Sequence, residues 1–310
     1  MNEFKRSNNE SEFARVFLFL LNPKRRTNYT IECKGALRMH VKLFYKQPKT
    51  ILNKGTGYLS RYTHSLNPYS GCSFACSYCY VRQLPVSLFR KEEWGSWVDV
   101  KRGAADVLKK ELRRAKEKGT VTIFMSSSTD PYQPIEYREK VTRSLLEVIV
   151  EDPPDFLLVQ TRSPLVCRDI DLLKRLKDRV RISMTIETDL EEIRRHFTPN
   201  APPIKARFHA LEELKKANIP TQVAIAPLLP SEETFPVKLK RLVDRICLDD
   251  FFLGDGSGGR RTEKLEIRKK YAQLDMDEWY DPNMIESVYR RFANVFSEDN
   301  IYISKEGFAP

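Results

Sequence analysis

The sequence predicts an α/β fold, an open partial barrel of about six βα units. Three observations predict it. Helix-period and strand-like segments alternate from about residue 100 onward. The strands are near-continuous apolar runs rather than strict alternations, which is the pattern of a parallel sheet covered by helices. The units number about six, short of the eight that close a barrel.

Taken in order, a first strand is expected over residues 63–68. Val100, Ala104, Val107, Leu108, Leu112 and Ala115 recur at helical spacing, and Gly119 ends that helix. VTIFMSS (121–127) follows as a second strand. Val141, Leu145, Val148 and Ile149 mark a helix that Pro153 and Pro154 stop. FLLVQT (156–161) is the third strand, and Ile170, Leu173 and Leu176 form the next helix face. VRISMTIE (180–187) is the fourth strand. A broken helical stretch then runs to Asn218, with Phe208, Leu211 and Leu214 inward. TQVAIA (221–226) is the fifth strand, residues 235–246 are expected to be helical, and DFFLG (250–254) is the last strand. In such folds polar chemistry collects at the C-terminal ends of the strands.

This gives three regions: a basic N-terminal extension (1–57) without clear periodicity, a barrel core (58–254), and a C-terminal part (255–310). The last opens on GDGSGGR, read as a flexible linker, followed by two helices near 262–273 and 283–296 and a short strand at 300–303. The fold class is thus a partial (β/α)6 barrel of the TIM type with an N-terminal extension and a small C-terminal helical appendage.

The 310 residues carry 53 Lys and Arg against 42 Asp and Glu, a net charge of +11. Residues 1–61 hold 13 of those basic residues and 4 acidic ones, so they supply +9 of it. Such an arm suits a phosphate backbone, which makes nucleic acid a candidate partner; a solvated extension is the ordinary alternative. Residues 17–21 are apolar over too short a stretch to span a bilayer. They also make a poor export signal, with Glu3, Glu10 and Glu12 upstream. A cytoplasmic protein with no membrane partner is expected.

Of the six cysteines, three fall within eight residues in GCSFACSYCY (71–80), giving C-x3-C-x2-C at Cys72, Cys76 and Cys79. Clustered thiols in a reducing compartment point to metal. Three thiolates in one loop leave one iron of a cubane cluster open to a ligand, whereas a structural zinc asks for four ligands. His64, Cys33, Cys167 and Cys247 are the remaining candidates for a fourth. Buried packing accounts for Cys167 and Cys247, and Cys33 is read as a free thiol.

The motif, with Tyr78 before its third cysteine and five βα units after it, resembles the signature of the radical S-adenosylmethionine (SAM) superfamily. The resemblance implies a [4Fe–4S] cluster on Cys72, Cys76 and Cys79, with SAM chelating the open iron. It implies an enzyme that cleaves SAM reductively to a 5′-deoxyadenosyl radical, which takes hydrogen from a substrate. It also implies a reducing partner such as flavodoxin or ferredoxin.

Residues 58–250 look most like the spore photoproduct lyase-related branch, the DNA repair photolyase-like proteins. On that likeness Tyr78 and Tyr80 flank the third cysteine as catalytic candidates. Tyr78, Thr129, Asp130, Arg162, Ser183, Glu187 and Ala226 are candidates for SAM contact. Arg162 stands where the branch usually has a lysine. The likeness also departs at Ser127, which occupies the position of the lyase's hydrogen-donating cysteine. A serine O–H is a far poorer hydrogen-atom donor, so the lyase's radical quench is not expected here. Each strand-end residue has an ordinary alternative: Ser and Thr cap helices, Asp130-Pro131 starts a turn, Arg162 serves as a surface charge, and Glu187 opens a helix. One ligand at the barrel mouth would explain them all. The alternative function is a non-catalytic nucleic-acid-binding protein with a structural metal site.

Overall fold

The computed structural model describes residues 28–31 and 39–310. Cys33 and most of the basic arm lie outside the described residues.

The main sheet has eight strands in the order β12-β11-β10-β9-β8-β7-β4-β3. Its strands are β3 (Leu52–Lys54), β4 (His64–Leu66), β7 (Thr122–Met125), β8 (Phe156–Thr161), β9 (Val180–Thr185), β10 (Thr221–Ile225), β11 (Arg245–Leu248) and β12 (Ile301–Ile303). From β4 to β12 every pairing is parallel, and β3 alone runs antiparallel, at the edge. No pairing joins β12 to β3, so the barrel is open, as expected.

Helices at Ala104–Lys116, Val141–Glu151, Ile170–Leu176 and Ile204–Lys216 connect successive strands. Each buries one stripe, for example Leu108 and Leu112, or Leu145, Leu146 and Ile149. These stripes and one face of the sheet form a single large apolar core.

Several boundaries differ from expectation. The sixth strand is Arg245–Leu248, and Phe251–Gly254 is a helical turn capped by the Asp250 carboxylate, which accepts from the Phe252 and Leu253 amides. Apolar residues in an unbroken run do not separate a buried strand from a buried turn. The stretch 255–261 is not a slack linker. The Asp255 carboxylate accepts hydrogen bonds from the backbone amides of Ser257 (2.6 Å), Gly259 (3.1 Å), Arg261 (3.0 Å) and Thr262 (3.2 Å). Further along, Val288, Phe292, Phe296 and Ile301 pack in the main core, and β12 pairs with β11.

A second sheet, in the order β1-β2-β6-β5, was not expected. It joins β1 (Asn28–Ile31), β2 (Met39–Lys46), β5 (Tyr69–Ser70) and β6 (Trp97–Lys101). Val100 therefore lies on a strand rather than on the helix that follows. In β2, Val41 and Leu43 are buried, alternating with exposed neighbours. This sheet ends at Ser70, one residue before the cysteine loop. Among the described residues no helix is long and apolar enough to cross a membrane.

Candidate functional site

The cysteine loop leaves β5 through Gly71, whose φ is +80°. A Cβ there would meet the Trp97 carbonyl at 2.5 Å, so the loop's first turn needs glycine. The Gly71 carbonyl accepts from Thr129 Oγ1 (2.7 Å) and Gln133 Nε2 (3.1 Å). Gln133 Oε1 accepts in turn from the Ser73 amide (3.0 Å). Arg82 donates to the carbonyls of Cys76 (3.0 Å) and Ala75 (2.9 Å), and the Ser77 amide donates to the Phe197 carbonyl (3.0 Å). The loop is therefore fixed by partners on both sides before any ligand is considered.

All three thiols line one cavity of about 580 Å³ at the C-terminal ends of the strands. Cys72 and Cys76 are buried, Cys79 is half-buried, and none is in a disulfide. Burial pushes all three thiols up, Cys79 to about 11. Thiolates here need a strongly positive partner.

Among the described residues no group of three or more His, Cys, Asp or Glu side chains is gathered tightly enough for one metal ion. A cubane asks something different, since each cysteine binds its own iron. Beside the thiols, the Trp94 indole Nε1 is buried, lines the cavity and has no acceptor in the protein. A bound group carrying sulfide or carboxylate acceptors would supply one. The donor set and the orphaned N–H thus fit a cluster with an acceptor-rich ligand.

The strand ends supply the rest. The buried Asp130 carboxylate accepts from the Tyr132 amide (2.9 Å), Thr161 Oγ1 (2.7 Å) and the Arg162 amide (2.9 Å). It ties the end of β7 to the end of β8. Arg162 Nη1 donates to Glu187 Oε1 (2.5 Å) and to the Tyr78 hydroxyl (2.9 Å). Tyr78 donates to Glu187, whose other oxygen accepts from Arg207 Nη1 (2.6 Å). Burial alone would raise the Glu187 carboxyl, but Arg162, Arg207 and the Tyr78 hydroxyl hold it down at about 2. Tyr80 donates to the Ser127 carbonyl.

Cys72, Cys76, Cys79, Tyr78, Tyr80, Thr129, Asp130, Arg162 and Ala226 all line the cavity. Ser183 and Glu187 do not. Ser183 is fully buried and its Oγ accepts from Gln222 Nε2 (3.1 Å), in the bore below the mouth. Period-2 alternation puts it two residues too early on β9. Glu187 acts from behind Tyr78 and Arg162. His64 lies at the start of β4, bonded to Thr63 Oγ1 (2.8 Å). Cys167 and Cys247 sit near the carbonyls of Ala210 and Ser304.

Sequence reasoning passed over Lys54, Tyr58, Trp94, Ser126, Gln160 and Asp249, which also line the cavity. Asp249, directly after β11, accepts from the Tyr58 hydroxyl at 2.9 Å. An acidic pair at a strand end was the available signal, obscured once that strand was assigned five residues late.

A family model described as the Radical SAM superfamily matches residues 66–243. Uncharacterized protein MJ0683 of Methanocaldococcus jannaschii is 34% identical over 165 residues, 53% of this chain and 60% of that protein. The Radical SAM Nalpha-GlyT isomerase of Pseudomonas phage M6 is 26% identical over 228 residues, 73% of this chain and 42% of the phage protein. The matches span less than two thirds of the length of these relatives. Among solved structures, variants of spore photoproduct lyase superpose with TM-scores of 0.61 and, with AdoMet and dinucleoside spore photoproduct bound, 0.60. Each is 16% identical and covers 84% of this chain and 81% of the lyase chain, a likeness of fold.

Proposed function

The chain belongs to the radical SAM superfamily, and from that premise we propose that it is an enzyme with a [4Fe–4S] cluster on Cys72, Cys76 and Cys79. SAM is its co-substrate in the adjoining cavity. Cys72, Cys76 and Cys79 would hold the cluster, which when bound would supply one electron, drawn from a reduced ferredoxin or flavodoxin, for cleavage of SAM to methionine and a 5′-deoxyadenosyl radical that would take a hydrogen atom from substrate. The observation that carries this reading is the convergence of three unpaired thiols and the orphaned Trp94 N–H on one cavity.

The chain's own residues bind and exclude. Thr129, Asp130, Arg162 and Ala226 form the wall for SAM. Arg162 carries a fixed positive charge toward it, already oriented by Glu187 and Tyr78. Tyr78 and Tyr80 stand between cluster loop and strand ends as the groups that shield the reacting atoms. Ser127 replaces a thiol donor, so the substrate radical is not quenched there as in dimer repair. The expected setting is the reducing cytoplasm.

Anaerobic reconstitution is the test. About four irons per chain are expected, with 5′-deoxyadenosine formed on reduction. Alanine at Cys72, Cys76 or Cys79 removes both, whereas Cys167→Ala changes neither. A fully loaded protein that forms no 5′-deoxyadenosine overturns the proposal.

Nucleic acid as the substrate carrier is favoured by the +9 charge of residues 1–61. Because β2 is part of the folded structure, the deletion that tests the arm stops at residue 27. Salt-steep binding of oligonucleotide that flattens in this deletion supports docking by residues 1–27, which hold 6 of those 13 basic residues, and an unchanged slope removes them. If binding persists without SAM cleavage or iron, the non-catalytic reading stands instead.

A further inference from the structure

The bore of the barrel is built in tiers. Phe124, Leu158, Ala224 and Cys247 face inward from β7, β8, β10 and β11 and pack with Tyr62 and Phe308 into an apolar plug. Two residues further along the chain from each, the next set stands at the level of the mouth. That set is Ser126, Gln160, Ala226 and Asp249, joined by Thr185 of β9, and all five line the cavity.

The polar members are incompletely satisfied. Gln160 Nε2 donates to Thr185 Oγ1 (2.6 Å), but Gln160 Oε1 has no partner. Ser126 is 4% exposed and its Oγ has none either. Buried polar atoms left unpaired are costly, so each asks for an explanation. Both face the same cavity from adjacent strands, one residue beyond the paired Met125 and Val159.

We propose that this tier is the substrate subsite, and that it takes a neutral ring with a cis-amide edge. The ring's N–H is donated to Gln160 Oε1, and its neighbouring C=O accepts from Ser126 Oγ. Ser126 and Gln160 each follow directly on one of the paired residues Met125 and Val159, so one small ring can meet both. Phe124, Phe308 and Pro227 add apolar faces for the ring. A carboxylate or phosphate is disfavoured here by the Gln160 oxygen, which has no proton to offer it. The Asp249 carboxyl is held by the Tyr58 hydroxyl (2.9 Å) and the Asp250 amide (3.1 Å). The inference deepens the radical SAM reading, since it places the substrate beneath the SAM wall.

The test is equilibrium dialysis of the cluster-loaded, unreduced full chain with SAM. The probes are thymidine, N3-methylthymidine, cyclo(Gly-Gly) and its N,N′-dimethyl form. At least one unmethylated ring is expected to bind, and N-methylation to weaken it about tenfold or more. Binding of thymidine alone assigns a nucleobase source, and binding of the cyclic dipeptide alone a peptide-derived one. Gln160→Leu is expected to bring the unmethylated ring to the level of its methylated form, with SAM retention unchanged. Equal binding of both forms, binding of neither ring, or full affinity in Gln160→Leu overturns the proposal. The methylated probes need no variant, so a misfolded Gln160→Leu leaves the answer intact. Dialysis also needs no reductant, so failure of SAM cleavage is a separate result.

Discussion

The hydroxyl of Tyr80 donates to the backbone carbonyl of Ser127 at 2.5 Å. One hydrogen bond thereby fastens the residue after the third cysteine to the loop that leaves β7. Tyr80→Phe leaves that carbonyl without its donor at the cavity wall. Iron content is expected to stay at the wild-type level, stability to fall by about 1 kcal/mol, and 5′-deoxyadenosine formation to drop several-fold. Parallel iron analysis, denaturation and SAM-cleavage rates check this; wild-type values in all three would show that the bond does not position the loop.

Arg207 is fully buried and pairs with Glu187 while also donating to the carbonyls of Pro202 (3.0 Å) and Thr185 (3.2 Å). Arg207→Met removes one of the two cations that hold Glu187 charged. Breaking one side of a buried pair costs about 3–5 kcal/mol. Urea denaturation should show a loss of that size, and Glu187→Gln in the same background should recover part of it.

Burial pushes the Asp249 carboxyl up to about 7, aided by Asp250 and opposed by hydrogen bonds from Tyr58, Ser304 and the Asp250 amide. The unfolded chain releases this proton near the ordinary Asp value of about 3.9. The folded protein therefore binds more protons between roughly pH 4 and pH 7, and this group's contribution to stability falls as pH rises through that window. Asp249→Asn should flatten this part of the stability profile. An unchanged slope would assign the titration to another group.

Gly71 combines a φ of +80° with a 2.5 Å approach of its missing Cβ to the Trp97 carbonyl. Gly71→Ala is expected to cost at least about 2 kcal/mol. It should also lower iron incorporation, because the residue that follows is the first cysteine. Wild-type iron content in a folded Gly71→Ala protein would show that the loop tolerates a different entry.

The barrel was legible because its strands are continuous apolar runs set between helix-period segments. FLLVQT coincides with β8, residue for residue. The cysteines were legible because a cluster loop is local in sequence. Two kinds of feature were not. In β2 the alternation of Val41 and Leu43 with His40 and Lys42 is short, and its partner Trp97–Lys101 lies some fifty residues away, so tertiary pairing decides it. The bore tier depends on register: Ser183 and Thr185 share a face of β9 but sit at different heights, and only strand pairing reveals which one reaches the mouth. Trp94 and Gln160 gave no signal at all, since an unpaired N–H or C=O is a property of surroundings, not of residue type.

Where β3 and β12 fail to pair, side chains do the joining. Tyr62 donates to the Phe308 carbonyl (2.6 Å), Arg61 pairs with Glu306 (2.5 Å), and Tyr58 meets Ser304 Oγ (3.3 Å). Elsewhere the wall is a backbone ladder that no single substitution can unzip. Along this line it is a row of snaps, all mounted on the turn between β3 and β4 and on the last seven residues of the chain. The barrel wall is therefore open to loosening along this one line, by exchange of a handful of side chains, while every other strand keeps its neighbour.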